Sequence, residues 1–363
     1  MVLLLHVVTG YPNPPGALAS MPRPVSLILG HGWLGVDLFF MLSGFLITGI
    51  LLDTKDRPFY FKNFYVRRFL RIMPLYFAVV LVWSLCYRGH AKYFLLSSVF
   101  GANLSPLLHA GAPHGPGVLW SLAVEEHFYL LWPAIVYWLD RRKLLFVCAA
   151  LIIGCPILRG IFVARGMDPE VVYVLTWFRL DGLAAGAAIA IWARSQYCDR
   201  RTAQMISAAL LAALIVMSLL GARFGLFGTK TVVAVALRYT QAYLIFGALF
   251  ILTLMYRDTI WTAPLRWRFM QFTGALSYCL YLVHLSLGDF YQFLYARQNA
   301  IHFGPSSTVL IRGALFIGSS FAIATLSRKY LEEPFLALKD RFTSRPSEVS
   351  AKPELAPVVE TPS

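Results

Sequence analysis

The sequence predicts an all-α, polytopic integral membrane protein of about ten transmembrane helices, the first of them truncated. Three observations predict it. The 363 residues are 58% hydrophobic and only 14% charged, where a soluble domain carries about 25% charged residues. Apolar runs approaching the roughly 17–25 residues that cross a bilayer recur along the chain. The Lys and Arg between those runs alternate in number from loop to loop, as retention of positive charge in the cytoplasm requires. This composition excludes a disordered chain and leaves too few polar residues to clothe a water-soluble globule.

The chain opens on MVLLLHVVTG. Ten residues of helix rise about 15 Å, half of a hydrocarbon layer of roughly 30 Å. The segment lacks the basic start and small-residue cleavage site of a signal peptide, so it is expected to be the second half of a span that begins upstream of Met1. Spans are then expected near 33–52, 72–87, 118–139, 144–158, 171–193, 205–222, 232–256, 270–294 and 306–327. Together they make a membrane domain over 1–343. Residues 344–363, rich in Pro, Ser and Glu, are expected to form a disordered cytoplasmic tail.

Of the 32 Lys and Arg, 21 fall in the alternate segments 53–71, 140–143, 194–203, 256–269 and 328–363. The segments between them, 10–32, 88–117, 159–170, 223–231 and 295–305, hold 8. The first set is assigned to the cytoplasm, and with it the C-terminus. The net charge of +14 is thereby explained by anionic membrane lipids, and no nucleic-acid partner is expected. Five scattered cysteines show no CxxC or Cys/His spacing, so neither a metal site nor a disulfide framework is expected.

Ionisable residues inside the spans are the candidates for function, because a charge at mid-bilayer costs at least ~2.5–3.5 kcal/mol. They are Asp37, Glu125, Glu126, Arg179, Asp181, His284 and Asp289, with His6 in the opening fragment. Arg179 and Asp181, two residues apart, are expected to find interior partners as structural ion pairs. The stretch FYFKNFYVRRFLRIMPLYF interleaves aromatics with Lys62, Arg67, Arg68 and Arg71, the pattern of an interfacial amphipathic helix. Arg68 and Arg71 project from one helical face, and their forked donors suit phosphate oxygens.

Six blocks in order carry a resemblance: GVDLFFMLSGFLI (35–47), FYVRRFLRIMPLYF (64–77), LWSLAVEEHFYLLWP (119–133), FRLDGLAAGAAIA (178–190), SYCLYLVHL (277–285) and YLEEPF (330–335). The series resembles the membrane-bound acyltransferase family 3, bacterial O-acyltransferases of the inner membrane that modify surface glycans. Only about 30 residues follow YLEEPF, so the esterase-like domain appended in some relatives is not expected.

The resemblance implies an acyl-CoA-dependent O-acyltransferase, most readily using acetyl-CoA as co-substrate, with a carbohydrate or glycolipid hydroxyl as acceptor. It implies a catalytic role for His6, whose usual companion Arg falls upstream of Met1, and acyl-CoA binding by Arg68 and Arg71. No bound cofactor is implied.

Imidazole is the usual base near neutral pH, so His6 is expected either to deprotonate the acceptor hydroxyl or to carry the acyl group itself. Asp37 or Glu125 is expected to orient it, by triad logic. Ser43, Trp120 and Ser121 are candidate donors to the tetrahedral intermediate or the acceptor. A multi-span transporter of a small polar solute or glycan precursor is the alternative class. The paired halves of such proteins are not visible in the sequence.

Overall fold

The structure, a computed structural model, describes residues 2, 3, 6, 23–228, 230–297 and 305–342. Most of the opening fragment and the tail expected at 344–363 lie outside them. Every regular element among the described residues is helical. The order is α1 (Arg23–Gly30), α2 (Leu34–Thr54), α3 (Tyr60–Cys86), α4 (Ala91–Ser98), α5 (Leu119–Trp138), α6 (Arg141–Ala164), α7 (Pro169–Val174), α8 (Leu180–Trp192), α9 (Arg200–Ala222), α10 (Val232–Met255), α11 (Arg268–Arg297) and α12 (Pro305–Ser327). By length and composition alone, α2, α3, α6, α9 and α10 are long and apolar enough to cross a membrane.

Short polar loops set where several helices begin. Asp140 caps α6 by accepting from Lys143 N at 2.9 Å, and Asp199 caps α9 by accepting from Thr202 N at 2.9 Å. Each satisfies a backbone donor that the first helical turn leaves unpaired. These bonds hold both carboxyl groups below the ordinary aspartate range.

The helices sort into a tight block and a looser flank. In the block, α2 lies closest to α8, and α6 and α10 close around the same pair. Glycine makes that approach possible. A methyl group added to Gly44 would overlap the carbonyl oxygen of Leu183, and one added to Gly186 would overlap that of Met41. Small residues facing each other are what membrane helices use to bring their backbones together. Outward-facing side chains such as Leu81, Leu85, Phe146, Ile153, Ile215 and Leu219 are exposed, which suits a hydrocarbon surround.

Three local expectations are corrected. The aromatic and basic stretch is not a separate interfacial helix. Tyr60–Cys86 is one continuous helix, because nothing before Pro74 interrupts the pattern. Tyr60 and Tyr65 fasten its start to α5, donating to the carbonyls of Pro133 at 3.1 Å and Leu130 at 2.8 Å.

The span expected over 171–193 is broken. A tight turn at Thr176–Phe178 separates α7 from α8. Irregular backbone survives at membrane depth only where protein satisfies it. Here Arg159 donates to the Phe178 carbonyl, and the Cys155 thiol lies 3.4 Å from that of Trp177. Arg159, which the span boundaries placed in a loop, is therefore inside α6 and fully buried.

The segment 88–117 is not wholly an external loop either. Phe100 stacks on Tyr76 of α3 with ring centres 4.5 Å apart, and the Tyr76 hydroxyl donates to the Ser97 carbonyl at 2.7 Å. The chain after α4 thus folds back against the middle of α3.

Candidate active site

The predicted polar residues separate into two groups. The first is a pair of salt bridges inside the tight block. Arg179 Nη2 lies 2.6 Å from Asp37 Oδ1, and Arg159 Nη1 lies 2.8 Å from Asp181 Oδ2, with all four side chains at most 1% exposed. Tyr243 donates a further bond to Asp37 at 3.0 Å. Arg159 also donates to the Ala236 carbonyl at 2.9 Å from Nη2 and 3.1 Å from Nε, so it ties α6, α8 and α10 together. Arg179 sits among aromatic rings, 3.9 Å from the centre of Tyr239, 5.1 Å from Tyr173, 5.5 Å from Phe40 and 5.8 Å from Trp120. Those ring faces attract the guanidinium, whose Nε and Nη1 have no hydrogen-bond acceptor among the described residues.

The second group runs along one face of α5. Ser121, Glu125 and Tyr129 are four residues apart, so they stack over about 12 Å of helix. At one end the Ser121 hydroxyl lies 2.6 Å from that of Tyr281 on α11. One turn further along α11, His284 Nε2 lies 2.9 Å from His6 Nδ1, and the Tyr281 and His284 rings are 5.8 Å apart. His114 of the folded-back segment is close enough to His6 to interact electrostatically.

In the middle of the face, Glu125 Oε1 accepts from both the Ser43 and Tyr129 hydroxyls, which are themselves 2.7 Å apart. At the far end the Arg68 guanidinium lies over the Tyr129 ring, 5.0 Å from its centre. Arg68 and Arg71 are both within electrostatic reach of Glu125.

A lateral cavity of about 640 Å³ opens at this far end, between Arg68, Phe69, Met73, Phe100, Glu126 and His127. His127 Nδ1 is 2.7 Å from Thr176 Oγ1, which also accepts from Asn103 Nδ2 at 2.7 Å. This small network joins the broken span to the folded-back segment. Beyond the membrane helices, half-buried Glu332 faces Arg71 and Arg328. Burial raises its carboxyl above the usual range against the pull of those two cations.

Several sequence expectations are thereby relocated. Asp37, expected beside His6, is committed to Arg179 and Tyr243. Glu125, the other candidate, bonds Ser43 and Tyr129. The described hydrogen-bond partner of His6 is a second histidine, His284 on α11. Trp120 packs against Arg179 and Tyr173, whereas Ser121 joins the histidine end and Ser43 the glutamate. Arg179 and Asp181 are each ion-paired, though not to each other.

The contacts of Arg159, Tyr129, Tyr243, Tyr281 and Glu332 emerge only in the folded chain. The apolar run ILRGIFVA was the one available signal that α6 continues past Arg159. Among the described residues no group of three or more His, Cys, Asp or Glu is placed to hold a metal ion.

The acyltransferase-domain family profile matches residues 1–327. The chain belongs to this acyltransferase family. It is 29% identical over 336 residues to the peptidoglycan O-acetyltransferase OatA of Listeria monocytogenes, covering 84% of this chain and 51% of that protein. A putative peptidoglycan O-acetyltransferase of Bacillus subtilis, YrhL, is 31% identical over 197 residues, covering 47% of this chain and 30% of its own length. The O-acetyltransferase OatA of Staphylococcus aureus is 30% identical over 197 residues, covering 45% of this chain and 31% of its own. The chain thus spans about half the length of the Listeria protein and less of the other two. No solved structure matches.

Proposed function

We propose that this membrane protein transfers an acyl group, most readily acetyl, from acyl-CoA to a hydroxyl of a cell-surface or lipid-linked carbohydrate. The observation that carries the reading is the seam on α5. Ser121 meets Tyr281, one turn from the histidine pair, at one end of this helix face, and Glu125 and Tyr129 meet Arg68 at the other. Such an arrangement links two stations that an acyltransferase needs, a phosphate anchor for the donor and a base for the acceptor.

Arg68 and Arg71 hold the coenzyme A phosphates at the cytoplasmic end, as forked cations do. The lateral cavity beside Arg68 takes the thioester arm. His6 removes the proton from the acceptor hydroxyl as its oxygen attacks the thioester carbonyl. Ser121 and the Tyr281 hydroxyl are donors at the same end of the seam for the oxyanion that forms. The names of the O-acetyltransferase relatives point to the acceptor class, a cell-wall glycan. The Lys and Arg distribution supports insertion in a bacterial inner membrane with the C-terminus in the cytoplasm.

The test is transfer in inverted membrane vesicles supplied with acetyl-CoA labelled in the acetyl group. Base-labile label in the glycan fraction, dependent on the protein, is expected. Uptake of a free solute with no ester formed would replace this reading with a transporter.

A further inference from the structure

The strongest unassigned feature is the contact between His6 and His284. The two imidazoles meet nitrogen to nitrogen at 2.9 Å, so one of those atoms must carry a hydrogen and the other must not. The surroundings decide which. His284 Nδ1 lies 2.7 Å from the carbonyl oxygen of Tyr281 and 3.1 Å from that of Leu280. Carbonyl oxygens only accept, so Nδ1 of His284 holds a proton. His284 is 1% exposed, and its described contacts include no carboxylate that would balance a charge, so the ring is neutral. A neutral ring protonated at Nδ1 has a bare Nε2. The hydrogen of the contact therefore belongs to His6 Nδ1, and in the neutral His6 ring Nε2 is left with its lone pair.

We propose that His284 is a positioning residue for His6: the chain of bonds from the Tyr281 carbonyl through His284 to His6 fixes the tautomer in which His6 Nε2 is the free base. The inference rests on the transferase reading above. It assigns to a histidine on α11 the orienting part that a carboxylate plays in a triad. The step balances as written. The acceptor O–H bond breaks and an N–H bond forms at His6 Nε2 while the hydroxyl oxygen bonds to the acyl carbon. The carbon–sulfur bond then breaks, and the proton passes from His6 to the departing thiolate, giving the ester and free coenzyme A. During the step the His6 cation donates from Nδ1 to a neutral partner. Its positive charge is stabilised less than it would be by a carboxylate, which favours prompt return of the proton.

Two measurements test this on the full-length protein in lipid nanodiscs. The first is the 15N spectrum of the histidine-labelled protein at neutral pH, with His6 and His284 signals assigned by their loss in His6→Gln and His284→Gln. A proton on Nδ1 and none on Nε2 in both rings is expected. A proton on Nε2 of His6 overturns the proposal even if the enzyme is active.

The second is kinetic. His284→Leu should lower kcat at least tenfold with the KM for acetyl-CoA unchanged. His284→Gln, which places an amide oxygen near the position of Nε2, should restore kcat to within about fivefold of the original. Equal losses in the Leu and Gln variants would overturn the proposal. An active His6→Ala protein would also overturn the proposal, whereas no ester formed by the original protein from acetyl-CoA would remove the transferase reading while leaving the tautomer result intact, so the two failures are distinguishable.

Discussion

Asp37, Arg179, Asp181 and Arg159 lie where α2, α6, α8 and α10 press together, while His6, His284, Tyr281, Ser121, Glu125 and Arg68 follow α5 along the looser flank. Both groups are polar chemistry inside an apolar bundle, the first fully buried and the second only partly so, and they are built differently. In the block each cation has an anion at 2.6–2.8 Å, and the glycine contacts of α2 and α8 leave no room between the backbones. In the seam hydroxyls, imidazoles and a carboxylate form short hydrogen-bonded clusters spaced along one helix face, and Arg68 borders a cavity. Paired charge in a tight setting holds helices together. Hydrogen-bonding groups beside open space are what the proposed transfer would use.

The largest effect expected on stability comes from breaking the block. Asp37→Ala leaves the Arg179 charge uncompensated and should cost about 3–5 kcal/mol, read as loss of monodisperse protein after detergent extraction or a collapse of Tm. The pair replacement Asp37→Leu with Arg179→Met should recover most of that Tm and leave transfer measurable. No apolar replacement of His6 should recover transfer.

Next comes the helix contact itself. Gly44→Val forces α2 away from the Leu183 carbonyl and should destabilise by about 1–3 kcal/mol, the range for overpacking. The loss should appear as a lowered Tm, with the KM of surviving enzyme unchanged.

On the seam side, Arg68→Ala removes a charge-assisted contact of about 1.5–3 kcal/mol. It should therefore raise the KM for acetyl-CoA roughly 10- to 100-fold with Tm unaltered. An unchanged KM would detach Arg68 from the donor.

The smallest effect is expected at the membrane surface. Asp53→Asn weakens the two-pronged bond from Arg194, at 2.6 and 2.7 Å, and should change stability by less than about 1 kcal/mol with transfer unaffected.

Much of the block and the seam is written in the sequence one residue at a time, and their pairing is not. The span positions were legible because twenty-odd apolar residues between basic loops have few other solutions. Polar residues at membrane depth flagged Asp37, Glu125, Arg179, Asp181 and His284 for the same reason. The break at Thr176–Phe178 was not legible. WFRLD reads as an apolar run carrying two charges, and the groups that satisfy its free carbonyls, Arg159 and Cys155, belong to another helix. The choice of His284 over Asp37 or Glu125 as the partner of His6 depends on where α11 passes, a tertiary fact with no local signature. Arg179 and Asp181 sit too close in sequence to reveal that each pairs elsewhere.

The most direct test of the account is the base-labile acetyl content of cell-envelope glycan, measured per molecule of membrane-inserted protein, in cells carrying the original chain or His6→Ala. Removing a general base typically costs 10²–10⁴-fold, so the ester should fall by at least about a hundredfold while inserted protein stays constant. Ester content unchanged by His6→Ala would contradict the account.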